Sequence, residues 1–469
     1  MQIKQINNLI DKKYFKILSL TLYVLVIGLL FLIIYNTFFV DFLLLIYHKP
    51  VHLSVLYLKA LVIIAILTLA FFGLSLKINY DKKLIFLYIA YICYGFISII
   101  YDKFYLGYPL KYSVYLFYRF YNLPILILLV SSLKINRSKD GQNNYYDEAL
   151  SKKLYKLWLI VLFSLSPFII MLNIAVPLNS TLEYVAKNLN FNTINNRFGH
   201  DIIVFINGTY LISLVIILLS VLLFYRLKIL LKVFILLILP IIAVAIYFTY
   251  YRVFYLGIIL SVFSLILLYS YKNFGYKNKI HKFIIYALPC INLIITVAAI
   301  SFIVLIDIKG NNPLNSSLGL VGQLGEWQFM LNKFILNGNI LNLLFGHGII
   351  QYGQEKIYPW KPNIPALLHL KPSLLLFDNT FLQVILYNGI ISLIFFLALL
   401  TYIWRLLLKL FSIIPESQFY FYAYVLTIFA TLPAMFMFDN FNSLYNIYAV
   451  IPVFIVLIAY NKKITPSSL

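Results

Sequence analysis

The stretch IIVFINGTYLISLVIILLSVLLF, residues 202–224, decides the fold class. It is almost entirely apolar and contains no charged side chain. About 20 apolar residues in an α-helix are enough to cross the hydrocarbon core of a bilayer. The stretch therefore predicts a transmembrane helix.

Similar stretches recur along the 469-residue chain, which is 63% hydrophobic and only 11% charged, with a mean hydropathy of +0.93. We predict an all-α, polytopic integral membrane protein with about 12 transmembrane helices, and one multi-pass membrane domain over residues 1–469. The predicted spans are 17–36, 53–76, 84–101, 112–133, 157–177, 202–224, 233–249, 253–271, 283–306, 380–402, 419–438 and 444–460.

Positive charge predicts the orientation of these helices. Most of the 37 Lys and Arg residues fall in alternate loops, and cytoplasmic loops are the ones enriched in these residues. Both termini are therefore predicted to be cytoplasmic. The net charge of +22 fits contact with anionic membrane lipids. It does not favour nucleic acid as a partner, because the positive residues are divided among separate loops.

Two loops differ from ordinary helix connections. Residues 134–156 are polar and predict a flexible cytoplasmic loop. Residues 307–377 form a long outer loop between predicted helices 9 and 10, and loops of this length are usually functional. Helical periodicity over 324–335 predicts one or two short helices over the outer membrane face, followed by a Pro-rich irregular segment.

Arginine is scarce in this Lys-rich chain, with six residues. Three of them are predicted to lie away from the cytoplasmic loops: Arg119 within a span, and Arg197 and Arg252 on the outer side. A guanidinium binds phosphate oxygens through two parallel hydrogen bonds and stays charged when partly desolvated. These arginines are candidates for binding a diphosphate. The alternative for Arg197 and Arg252 is that they extend to the membrane interface as ordinary surface cations.

Two neighbouring motifs in the last third of the chain could carry further chemistry. LFGHGIIQYG occupies 344–353 and FDNTFLQVILYNGIISLI occupies 377–394. His347 could act as a base or simply lie in a loop. Asp378 and Asn379 could act on a substrate or only cap the following helix. In the outer loop, Glu326, Trp327 and Trp360 could contact sugars, or the tryptophans could anchor at the interface.

Several common site types are missing from the sequence. It has no Asp-x-Asp on an outer loop, no Walker loop and no His-Glu-x-x-His. Cys93 and Cys290 fall inside predicted spans, so neither a disulfide nor a zinc site is predicted. We therefore predict no metal and no cofactor.

The motifs resemble those of the superfamily of O-antigen polymerases (Wzy) and O-antigen ligases. Arg197 is followed after ten residues by Gly208, and TYYRVFYLGIILS (249–261) resembles an Arg-bearing outer turn of that family. The block from EWQFMLNKFI through LFGHGI to DNTFLQVILYNGIIS resembles its C-terminal motif. Asp378 replaces the histidine of the ligases, and the arginine often found near Gln323 is missing. These departures favour a polymerase.

The resemblance implies polymerisation of undecaprenyl-diphosphate-linked oligosaccharide repeat units into a surface polysaccharide, such as the O-antigen of lipopolysaccharide or a capsule, at the outer face of a bacterial inner membrane. It implies the arginines as diphosphate ligands, Asp378 or His347 as catalytic base, and a chain-length regulator and a flippase as partners. The implied glycan contacts are Asn379, Glu326, Trp327 and Trp360. An O-antigen ligase is the alternative within the class. A flippase or transporter of lipid-linked oligosaccharides is the alternative from another class.

Overall fold

The computed structural model describes the parts of the chain whose placement is defined. These are residues 79–80, 82–107, 133–134, 145–146, 148–178, 193–197, 200–203, 208–248, 252–275, 279–309, 339–346, 379–411, 416–437 and 460–461, with single positions at 327, 332, 414, 452, 453 and 456.

The described residues are predominantly helical. Their helices are α1 (Lys82–Phe104), α2 (Glu148–Leu178), α3 (Gly208–Phe224), α4 (Ile229–Tyr247), α5 (Arg252–Ser270), α6 (Lys279–Lys309), α7 (Ile340–Phe345), α8 (Thr380–Phe411) and α9 (Phe419–Met435). A π-helical turn, Tyr271–Gly275, follows α5, and a 3-10 turn, Glu416–Gln418, precedes α9.

Five helical stretches among the described residues are long and apolar enough to cross a membrane. They are Ile229–Tyr247, Phe254–Asn273, Lys279–Phe302, Thr380–Phe411 and Glu416–Met435. This confirms the predicted helical class and five of the predicted spans: 233–249, 253–271, 283–306, 380–402 and 419–438. The total of 12 and the cytoplasmic termini stay predictions, because the predicted spans 17–36, 53–76, 112–133 and 444–460 lie wholly or largely outside the described residues.

Several helix boundaries differ from the predicted ones. Helix α2 begins at Glu148, inside the loop predicted as a flexible linker, because EALSKKLYK consists largely of good helix formers. Helix α3 begins only at Gly208, because residues 200–203 pair as a strand. Hydropathy locates apolar stretches, whereas helices continue into polar residues wherever local propensity allows.

Helix α9 occupies the centre of the helical assembly. It packs against α3, α5, α6 and α8, and nearly all of its residues are buried. Helix α4 is more apolar than α9 but peripheral, with Leu236 and Leu237 58% and 65% exposed. A helix that is apolar on all sides suits either a protein core or a lipid contact. The two helices show both cases.

Hydrogen bonds between buried side chains join the packed helices. Asn292 Nδ2 on α6 donates to Ser264 Oγ on α5 and to Ala430 O on α9, both at 2.9 Å. Trp404 Nε1 on α8 donates to Tyr286 O on α6 at 3.0 Å. Such bonds between helices add specificity where lipid provides no competing partners.

Three short antiparallel strand pairs connect segments at the helix ends. β1 (Asn79–Tyr80) pairs with β2 (Leu133–Lys134), and β3 (Tyr145–Tyr146) pairs with β6 (Tyr460–Asn461). The third pair is β4 (Thr193–Arg197) with β5 (His200–Ile203). The first two pairs bring together segments that the charge pattern assigns to one side of the membrane.

Candidate functional site

The first half of α8, Thr380–Asn388, begins with a capped and buried N-terminus. Asn379 is 5% exposed, and its Oδ1 accepts a hydrogen bond from Leu382 N at 2.9 Å. Thr380 N donates to Phe436 O, just beyond α9, at 2.8 Å. Asn379 therefore acts as the N-cap, as its residue type allows, and the start of α8 lies beside the end of α9.

Helix α8 is interrupted at Gly389. This residue has φ 82° and ψ 174°, a conformation that is essentially restricted to glycine. A Cβ atom at Gly389 would lie 1.8 Å from Leu344 O of α7. The interruption and the contact with α7 therefore occur at the same residue.

The contact between α7 and α8 uses a glycine on each side. Gly346, which ends α7, has φ 88°, and its Cβ would lie 2.4 Å from the carbonyl carbon and oxygen of Tyr387. The backbone of Leu344–Gly346 thus lies directly against that of Tyr387–Gly389. The structure brings together the LFG of the first motif and the YNG of the second.

Buried polar side chains surround this contact. Gln383, Asn388 and Ser392 on α8 and Ser98 on α1 are each at most 6% exposed. Ser98 Oγ lies 3.5 Å from Asn388 O. Asn388 Nδ2 has no hydrogen-bond partner among the described residues. A buried amide donor of this kind is suited to a ligand hydroxyl or carbonyl oxygen.

Helix α1 supplies the other wall of the site. It runs antiparallel to α8, because Ser98 lies near Asn388 while Tyr91 packs its ring 6.1 Å from Phe396. Tyr94 Oη donates to Leu344 O at 2.5 Å, and Tyr101 Oη donates to Asn342 Oδ1 at 2.7 Å. Short α7 therefore lies between α1 and the interruption in α8.

Sequence reasoning missed the contribution of α1. Its tyrosines were not distinguished from the many other aromatic residues of the chain. Asp102, which is 3% exposed and next to Tyr101, was not among the predicted site residues. Two features of the sequence could have identified α1 as part of the site: a carboxylate at the end of an apolar helix, and tyrosines seven and four residues apart.

Four of the predicted site residues are among those described. Arg197 ends β4 opposite His200, Arg252 is the first residue of α5, Asn379 caps α8, and Trp327 is helical and partly buried. Asp378, His347, Arg119, Glu326 and Trp360 lie outside the described residues. Gly208, paired with Arg197 in the sequence motif, is the first residue of α3.

Among the described residues, no group of three or more His, Cys, Asp or Glu side chains could hold a metal ion. No protein-family model matches the chain, and no curated protein is significantly similar to it. The site is therefore defined by its own geometry: an interrupted apolar helix, buried polar side chains and a docked loop helix.

Proposed function

We propose that the chain is a bacterial inner-membrane glycosyltransferase that polymerises undecaprenyl-diphosphate-linked repeat units into a surface polysaccharide. The observation that carries the proposal is the backbone contact between Leu344–Gly346 and Tyr387–Gly389. These residues belong to the two pieces of the C-terminal block that carry the resemblance to the O-antigen polymerases. Motifs that act together in one reaction are expected to meet in the fold.

The buried polar groups at this contact support an enzymatic or binding role. Keeping the Asn388 amide inside an apolar helix costs free energy unless a partner or a ligand satisfies it. Polar residues within a membrane helix are retained mainly where they have a function. A glycan, with many hydroxyl groups, would match the amide and hydroxyl groups present here.

The proposed reaction is a displacement at an anomeric carbon. A hydroxyl oxygen of the acceptor repeat unit forms a bond to the anomeric carbon of the donor glycan, and the bond from that carbon to the diphosphate oxygen breaks. The hydroxyl proton passes to Asp378 or His347, and undecaprenyl diphosphate leaves as an anion. Arg197 and Arg252, with Arg119, would stabilise the growing negative charge.

The described contacts agree with an outer location for this site. The end of α1 contacts α7, and α7 belongs to the loop 307–377 that the charge pattern places outside. The segments paired as β1–β2 and β3–β6 lie in regions predicted to be cytoplasmic. Cysteines introduced at Asn312 and Asn363, in a chain lacking Cys93 and Cys290, should react with a membrane-impermeant thiol reagent in intact spheroplasts. Protection of both would contradict the orientation.

Asp378→Asn tests the proposed activity. Asn379, not residue 378, is the N-cap of α8, so the variant should keep this cap and reach wild-type membrane levels. It cannot accept a proton, so polymer should disappear and single-repeat lipid-linked units should accumulate. If polymer of wild-type length persists, Asp378 is not the base, and the same substitution test moves to His347→Gln. Polymer in both variants would contradict the proposed mechanism.

One structural observation favours a second function, transport of lipid-linked oligosaccharides. Transporters commonly bind substrates at interrupted helices, and α8 is interrupted at Gly389. The two functions differ in what an inactive variant leaves. Loss of a polymerase still allows one repeat unit to be attached to the surface acceptor, whereas loss of a transporter removes that product as well.

A further inference from the structure

Three tyrosine hydroxyl groups, two on α1 and one directly after its end, contact α7 or its N-cap residue Asn339. Tyr94, Tyr101 and Tyr105 are seven and four residues apart, a spacing that places them on one helix face. Tyr94 binds Leu344 O and Tyr101 binds Asn342 Oδ1, while Tyr105 Oη accepts a hydrogen bond from Asn339 Nδ2 at 3.0 Å. We call these three residues the tyrosine row.

The rings of the tyrosine row also hold the end of α7. Phe345 lies with its ring 6.0 Å from that of Tyr94 and 5.4 Å from that of Tyr101. On its other side, α7 meets α8 through the contacts at Gly346 and Gly389. Helix α7 thus lies between α1 and α8 and contacts both.

Helix α7 depends on these contacts for its own stability. It has only six residues, and isolated helices shorter than about 12–15 residues are marginal in water. Its N-cap bond is long, with Leu341 N 3.2 Å from Asn339 Oδ1. Tyr94 satisfies the carbonyl of Leu344, one of the last carbonyls, which the helix itself leaves without a donor.

We propose that the tyrosine row consists of positioning residues that dock α7 and so hold Gly346, the residue before His347 in the sequence, against the interruption in α8. Phenylalanine would pack equally well on the apolar faces of these rings. The hydroxyl groups, by contrast, set the register of α7, because each binds a different position along it. The role in glycan transfer rests on the proposed function, whereas the docking rests on the contacts alone.

Amide hydrogen exchange on the full chain in lipid nanodiscs tests the docking directly. Tyr94→Phe and Tyr101→Phe each remove one hydroxyl group and keep the ring. Since a neutral hydrogen bond contributes on the order of 1 kcal/mol, each variant should speed exchange in residues 339–346 about fivefold, and the double variant about 30-fold. Unchanged exchange there in the double variant would overturn the proposal.

Tyr255→Phe is the matched control. Tyr255 Oη on α5 donates to Tyr247 O at 2.6 Å, so the control removes the same kind of hydroxyl-to-carbonyl bond away from α7. Exchange in 339–346 should not change in this control. A rise spread evenly over α8 and α9 in the double variant would indicate general destabilisation, and would also overturn the proposal.

Polymer length in cells separates docking from the chemical role. Faster local exchange together with loss of long polymer supports positioning for catalysis. Faster exchange with unchanged polymer would show that the tyrosine row docks α7 but that this docking is not needed for catalysis. The proposed catalytic role would then be overturned. If deletion of the wild-type gene itself leaves polymer intact, the proposed function fails, while the exchange result still decides whether the tyrosine row docks α7.

Discussion

The two halves of α8 differ in their surroundings. In Thr380–Asn388 nearly every residue is buried, including the polar Thr380, Gln383 and Asn388. In residues 390–411 one face is exposed, with Ile394 58% and Leu397 42% accessible, and the other is packed through Phe396 and Leu399. The second half would extend about 33 Å, enough to cross a bilayer alone. The first half of α8 is therefore not needed to span the bilayer and can contribute side chains to the site.

Gly389→Ala should have the largest effect on stability, because it changes the residue that joins the two halves of α8. Its Cβ would meet Leu344 O and would occupy a conformation that alanine strongly disfavours. We expect a loss of about 3–5 kcal/mol in stability, measured by thermal unfolding in detergent. Gly107→Ala is the control, since Gly107 has φ 72° but a methyl group added there would have no neighbouring atom within 4 Å. Equal losses in both variants would show that the contact is unimportant.

Asn388→Leu should separate stability from activity within the first half. Because Asn388 Nδ2 has no described partner, replacing the amide with an apolar group of similar size should change stability by less than about 1 kcal/mol. Polymer formation should nevertheless fall sharply if the amide binds substrate. An active variant would remove Asn388 from the site, and an unfolded one would show that the amide has a structural partner.

Asn379→Ala should have a smaller effect on stability. It removes the acceptor for Leu382 N and should cost about 1 kcal/mol. Asn379→Asp, which keeps a capping oxygen, should retain most of that stability. Thermal unfolding of the two variants side by side distinguishes the cap from other roles; equal losses would mean that the side-chain amide matters for another reason.

Leu397→Ala should have the smallest effect. Leu397 lies on the exposed face of the second half, so we expect a change within about 0.5 kcal/mol and unaltered polymer. A loss comparable to that of the glycine variant would mean that this face is covered by protein rather than lipid. The distinction between the halves would then fail.

Most of the helical architecture could be predicted from hydropathy. The predicted spans 233–249, 253–271 and 419–438 agree closely with α4, α5 and α9. Boundaries in polar segments could not be predicted in this way, as the early start of α2 at Glu148 shows. Helix propensity, not apolar content, determines where a helix begins in such segments.

The site was only partly predictable. Asn379 was recognised as a possible cap from its residue type, and the two Gly-containing motifs were identified. The interruption at Gly389 was not predicted, because a glycine in an apolar run usually costs about 1 kcal/mol without breaking the helix. Its cause is the long-range approach of Leu344, which local sequence does not encode. The same holds for the partners of Tyr94 and Tyr101.

The contact between α1 and α8 has a consequence for biogenesis. Ser98 and Asn388 are 290 residues apart in sequence. At about 5–20 residues per second, α1 emerges from the ribosome roughly 15–60 s before α8. During that interval its tyrosine hydroxyl groups do not yet have α7 to pack against. We expect water or the insertion machinery to satisfy these hydroxyl groups until synthesis of the C-terminal third is complete.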